Sequence, residues 1–171
     1  RSRPSSTEPK VLSVPSTGEV GLVDLEALVN EEAGAASWVA LEDQPVGQTE
    51  VTPDGSNAIV FTNATESDRI TILNLASFDH QTLPLRKGVM SVVAGPESRY
   101  AIVYHTKQPG EPVPGQPEEE IVARSYAFSA VDLTGNLTKL VLTESQPGEL
   151  IFTPDGSDAF VLTADEARDV R

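Results

Sequence analysis

Val51-Thr-Pro-Asp-Gly-Ser-Asn-Ala-Ile-Val-Phe61 reads as a tight turn followed by a strand. Pro53 presets φ for the first turn position, Asp54 suits the second, and Gly55 can take a positive φ without a Cβ clash. The run that follows, Ala58-Ile-Val-Phe61, is continuously apolar. A strand with one solvated face alternates apolar and polar residues, whereas an unbroken apolar run marks a strand covered on both faces.

The same pattern recurs. Ala94-Gly-Pro-Glu-Ser-Arg-Tyr-Ala-Ile-Val-Tyr104 and Phe152-Thr-Pro-Asp-Gly-Ser-Asp-Ala-Phe-Val-Leu162 align with it, with prolines at 53, 96 and 154 spaced by 43 and 58 residues. A second marker, Leu22-Val-Asp-Leu25, Ile72-Leu-Asn-Leu75 and Ala130-Val-Asp-Leu133, shows the same 58-residue step from Leu75 to Leu133. The 15-residue excess in the longer step matches one Pro/Gly-rich stretch, Lys107-Gln-Pro-Gly-Glu-Pro-Val-Pro-Gly-Gln-Pro-Glu-Glu-Glu120. Removing that insertion restores the period. In Gly95-Pro-Glu-Ser98 a serine replaces the glycine, so this turn is expected to differ in detail.

Each unit parses into short strands. Unit two gives 47–52, 57–63, 69–75 and 81–86; unit three gives 89–94, 99–106, 122–133 and 137–143. Unit one gives 10–14, 19–25 and 37–41, and unit four gives 149–153 and 158–163. Four strands repeating every ~40–45 residues is the period of a propeller blade. The expected fold is therefore all-β, a partial β-propeller of about three and a half four-stranded antiparallel blades. The expected blades span 10–46, 47–87, 88–146 and 147–164, with the loop insertion at 107–120. Residues 1–9 read as a disordered lead-in and 165–171 as a truncated or frayed end. One segment departs from β: Asp24 reads as the N-cap of a short helix whose Leu25, Leu28 and Val29 share a face.

The Thr-Pro-Asp-Gly-Ser turn, the apolar strand ending at Thr62-Asn63 and Arg69-Ile-Thr-Ile-Leu-Asn-Leu75 together resemble the repeat of YVTN-type β-propellers. The resemblance covers roughly 10–163, and departs at the insertion and at Gly95-Pro-Glu-Ser98. It implies proteins of the bacterial or archaeal surface and envelope, hence an extracytoplasmic location, and more distantly lactonase-like enzymes. No catalytic residue of the family has a matching motif to carry over.

The chain has 171 residues, with 26 Asp+Glu against 12 Lys+Arg, a formal charge of −14, two His and no Cys. Nucleic-acid binding rests on Lys/Arg neutralising phosphates, so a nucleic-acid partner is excluded. No Cys means no disulfide, thiol nucleophile or thiolate metal site. No apolar run approaches the ~20 residues a membrane helix needs, so no membrane insertion is expected. His80 and His105 fall on opposite ends of the blades and read as solvated surface residues, with no joint metal site. Asp54 and Asp155 read as turn residues, so Pro53, Asp54, Gly55, Pro154, Asp155 and Gly156 are structural turns. Asp24, Asn74 and Asp132 recur at one position and read as strand-ending side-chain-to-backbone bonds. No catalytic, cofactor or metal residue is assigned.

The insertion is the most informative functional feature. Its prolines and glycines predict an extended, solvated segment without a core, joining the second and third strands on the face opposite the Pro-Asp-Gly turns. It reads either as a tolerated surface insertion or as an interaction loop carrying Lys107, Glu111, Glu118, Glu119 and Glu120. The expected function is a non-enzymatic protein-binding or scaffold segment of a larger protein, partnered by a protein or by the remaining blades of the same propeller. Self-association would also close the ring. The competing expectation is part of a lactonase-like or dehydrogenase-like propeller enzyme whose active residues lie in other blades.

Overall fold

The computed structural model describes residues 10–13, 18–41 and 46–163. The expectations for 1–9 and 165–171 lie outside the described residues. Unit one is a three-stranded sheet of β1 (Lys10–Ser13), β2 (Glu19–Asp24) and β3 (Ala36–Ala40), with α1 (Leu25–Val29) between the last two. Unit two is β4 (Gln48–Val51), β5 (Asn57–Phe61), β6 (Arg69–Asn74) and β7 (His80–Pro84) in sequential order. Unit three is β8 (Val89–Ala94), β9 (Tyr100–His105), β10 (Tyr126–Asp132) and β11 (Leu137–Thr143), with α2 (Glu118–Arg124) between β9 and β10. Unit four is the pair β12 (Pro147–Phe152) and β13 (Ala159–Thr163). Every strand pair is antiparallel. Two complete four-stranded blades are thus flanked by two smaller sheets, and the chain is a partial β-propeller.

Alternation along each strand sends neighbouring side chains to opposite faces, which explains the continuous apolar runs. On one side of unit two, Ala58, Val60 and Leu73 join Val20 and Leu41 of unit one. On the other, Ile59, Phe61, Ile70 and Ile72 join Val92, Ala101, Val103 and Val131 of unit three. Burial of a side chain such as Ile59 or Phe61 contributes about 1.5–3 kcal/mol. This two-sided burial follows from stacking sheets face to face.

The first turns share one backbone shape. Gly55 (φ +70°), Ser98 (φ +56°) and Gly156 (φ +63°) all enter the left-handed region. Their N–H groups donate to the carbonyls of Thr52, Gly95 and Thr153 at 2.8, 3.0 and 2.9 Å. The expected difference at Ser98 is not found: serine adopts the glycine conformation, at a cost of about 1 kcal/mol. Its hydroxyl is recruited between blades, accepting from Asp54 N–H at 3.0 Å.

The strand-ending residues behave as expected. Asn74 accepts from Ala76 and Ser77 N–H at 3.0 and 2.9 Å, and Asp132 from Thr134 and Gly135 N–H at 2.9 Å each. Asp24 caps α1 through Ala27 N–H at 2.9 Å. The apolar face expected on α1 is not covered: no residue of that helix is buried, and Leu28 and Val29 are exposed. Among the described residues no element covers this single turn in the connection between two strands.

Candidate functional site

The end of the blades opposite the Pro-Asp-Gly turns carries the insertion, and here the structure departs most from the sequence reading. The chain from Lys107 forms a loop, closed at its tip by a turn in which Gln116 N–H donates to Val113 O at 3.2 Å and Gly115 has φ +91°. At Glu118 it becomes helical, so the expected strand at 122–133 begins only at Tyr126. The helix is docked. Val122 is buried, and Lys87 Nζ donates to Val122 O and Ala123 O at 2.7 Å each. Gln108 N–H donates to the same Ala123 O at 2.9 Å. The insertion therefore has a packed base, not the fully extended form expected for it.

Glu118, Glu119 and Glu120 form the first turn of α2, and Arg124 lies in its last. Acidic groups at the N-terminus and basic ones at the C-terminus complement the helix dipole. This pattern, following Pro117, is the sequence signal that could have revealed the helix. Arg86 and Lys87 grip the helix at opposite ends: Arg86 Nη2 bonds Glu118 Oε1 at 2.6 Å, while Lys87 takes the C-terminal carbonyls. Arg86 does so from a left-handed backbone, φ +66°. Lys107 Nζ bonds Gly110 O and Glu111 Oε1 at 3.0 Å each and lies 4.9 Å from the centre of the Tyr126 ring. Glu120 accepts from Gln116 at 3.0 Å and lies 3.7 Å from Arg124. Glu119 is exposed. Lys107, Glu111, Glu118 and Glu120 thus hold the insertion together and dock it.

His105 is the residue that sequence reasoning placed wrongly. It was expected at the surface, yet only 7% of it is exposed. Alternation along β9 puts it on the face of Ala101 and Val103, at the margin of the core between units two and three. Its Nδ1 lies 3.1 Å from Gly88 O and its Nε2 2.7 Å from Ser129 Oγ. A carbonyl can only accept, so Nδ1 carries the proton and Nε2 accepts from the serine hydroxyl. Burial, aided by the nearby Lys87 charge, pushes His105 down to about 4, outweighing the carbonyl contacts that favour its charged form. Burial likewise lowers Lys87, with Lys107 acting in the same direction and Glu66 opposing. His80 begins β7 and is exposed, away from His105.

Two clefts flank the loop after β9. One, of about 380 Å³, is lined by Glu66, Asp68, Lys87, Thr106, Gln108 and Ala123 among others. The second, of about 340 Å³, lies against Tyr104, His105, Lys107, Tyr126, Gln146 and Pro147. Among the described residues no three His, Asp or Glu side chains gather as metal ligands. No helix among them is long and apolar enough to cross a membrane.

The first turns of units two and four lie at the opposite end of the blades. Asp54 Oδ1 accepts from Ser56 N–H at 3.0 Å and from Thr52 Oγ1 at 2.7 Å. Partial burial pushes its carboxyl up, but the bonds from Ser56, Thr52 and Ser98 outweigh that and hold it at about 2. Asp155 is held below the usual carboxylate range by bonds involving Thr153 and Ser157. Pro53 and Pro154 precede these carboxylates, and Gly55 and Gly156 close the turns.

No protein-family model matches the sequence. No curated protein matches it either. Solved structures that share its architecture are β-propellers. Hydrazine synthase of Kuenenia stuttgartiensis superposes with a TM-score of 0.58 at 13% identity, over 89% of this chain and 40% of that one. The Cps50 (Swd1) β-propeller domain of Myceliophteria thermophila gives 0.57 at 12%, over 90% and 47%. TolB from Acinetobacter baumannii gives 0.50 at 16%, over 86% and 33%. The likeness is one of fold, and the chain spans less than half the length of each of these structures.

Proposed function

We propose that this chain is a non-enzymatic β-propeller segment serving as a protein-binding or scaffold module of a larger assembly. The observation that carries the reading is the character of its two end sheets. Phe160 and Leu162 occupy the repeat positions of Ile59 and Phe61, which are buried against unit three at 0% and 3% exposure. In unit four the same positions are 58% and 49% exposed, with Ile151 paired to Phe160 beside them. On the outer face of unit one, Trp38 lies over Gly21 and is 56% exposed. These faces have the composition of blade interfaces, and further blades of the same propeller, or another copy of the chain, would cover them.

The finer reading, a YVTN-type repeat of the bacterial envelope, rests on the Val51–Ser56 turn and the strands after it. Fractionation of a native source with antibody to this region tests the compartment; recovery in the cytosol alone defeats it.

The scaffold reading is tested by light scattering on the purified chain and on the chain extended by its neighbouring sequence. Association of the chain through these faces, lost in Phe160→Glu, or a monodisperse extended form with a blue-shifted Trp38, supports it. Metal-dependent turnover by the extended protein would favour the enzyme reading instead.

A further inference from the structure

We infer that α2 is an acid-released cap: it stays docked while His105 is neutral and leaves the blade end when His105 takes a proton. The inference does not depend on the scaffold reading. His105 is linked to the last turn of α2 through the two chain segments beside it, both of which bind that turn. On one side Gly88 O accepts from His105 Nδ1–H, and the adjacent Lys87 holds Val122 O and Ala123 O. On the other side, three residues beyond His105, Gln108 N–H holds Ala123 O. Thr106 N–H also donates to Gly88 O at 2.9 Å, which ties the two segments to each other. The imidazole and the helix end therefore share one network, and neither side of it can shift alone.

Protonation changes that network in two ways. Nε2 becomes a donor, so the Ser129 hydroxyl must turn its own hydrogen away and accept. A positive charge also appears in a buried place where the facing groups are cationic or neutral. The β7–β8 connection presents Lys87, the loop after β9 presents Lys107, and β10 presents Ser129 and Tyr126. Glu66, from the β5–β6 connection, acts on Lys87 and accepts from Gln108 at 3.2 Å. Among the described residues no carboxylate bonds the imidazole. The added charge is relieved as the Lys87 ammonium swings away from the imidazole, which removes its grip on Val122 O and Ala123 O. Release opens the cleft walled by Lys87, Gln108 and Ala123.

Hydrogen exchange on the full chain, read as protection factors corrected for intrinsic exchange, tests this between pH 7 and pH 5. If His105 regains its ordinary titration in the open form, protection at Ile121 to Ser125 falls roughly twentyfold over that range. Strands β5 and β6, which exchange only through global unfolding, stay better protected than α2 at every pH. His105→Gln, neutral at every pH, abolishes the dependence. Should that variant fail to fold, NMR titration of the wild-type imidazoles serves instead: the fall in α2 protection must level off at the pH where His105 titrates. Protection of α2 that does not change with pH overturns the inference. So does the same loss in His105→Gln, or β5 and β6 opening together with α2.

Discussion

Ser98 Oγ accepts a hydrogen bond from Asp54 N–H at 3.0 Å, joining the first turn of unit two to the first turn of unit three. The serine does this while holding φ at +56°. Its side chain and its backbone therefore act in opposite directions on stability. Ser98→Ala loses the acceptor and keeps the strain, and is expected to cost about 1–2 kcal/mol. Ser98→Gly loses the acceptor but relieves the strain by about 1 kcal/mol, and is expected near wild type. Urea unfolding that ranks alanine above glycine would refute this division.

Gly55→Val is expected to destabilise the chain by at least about 1–2 kcal/mol, through the backbone alone. A Cβ placed at Gly55 meets nothing within 4 Å, so crowding plays no part. Gly55→Ala should consequently lose about 1 kcal/mol, and Gly55→Asn less than either. An unchanged urea midpoint in the valine variant contradicts the positive φ.

Ile59 and Phe160 occupy the same repeat position under opposite conditions, buried between blades and exposed on the end sheet. Ile59→Ala is expected to cost about 2–5 kcal/mol, while Phe160→Ala in the isolated chain costs well under about 1 kcal/mol. Thermal or chemical denaturation of both variants checks the contrast. A large loss at Phe160 would mean that another copy already covers that face.

Acid should weaken the fold in two separate windows. His105 is depressed from an ordinary 6.5 to about 4, so its neutral form is the folded one. Its contribution, at most about 3 kcal/mol, is complete above 6.5 and is lost as pH falls towards 4. Asp54 is depressed from 3.8 to about 2, so its contribution is present above 3.8 and lost only as pH falls further, towards 2. Stability measured against pH should lose the upper step in His105→Gln and be flatter at the lower one in Asp54→Asn. An upper step that survives in His105→Gln rules out this assignment.

Replacing 108–124 by a short Gly-Ser turn removes the carbonyls that satisfy Lys87 Nζ. A buried ammonium left without acceptors is destabilising by about 1–3 kcal/mol. The deletion is therefore expected to be less stable than wild type, and adding Lys87→Met should recover part of the loss. If Lys87→Met makes the deletion variant worse, the lysine is not stranded by the deletion.

The blades were legible in the sequence because their causes are local. Pro53, Asp54 and Gly55 define a turn by themselves, and the unbroken run Ala58 to Phe61 announces two covered faces. Asp24, Asn74 and Asp132 bond backbone groups two or three residues away, within reach of any sequence pattern. The candidate site was not legible in the same way. His105 closes an apolar strand, and nothing within a few residues says that Gly88 and Ser129 will meet its two nitrogens. Glu118 to Arg124 carries the charge order of a helix, but the Pro/Gly-rich run before it dominated the reading.

The all-β, four-stranded architecture followed from the sequence, because strands and turns depend on φ preferences and on alternation along one strand. Tertiary structure alone decided that Lys87 would be buried against carbonyls 35 and 36 residues away, that α2 would dock, and that His105 would be neutral. Those outcomes depend on which groups distant segments bring to one place and on how much water they exclude. Neither the chain's local geometry nor its composition contains that information.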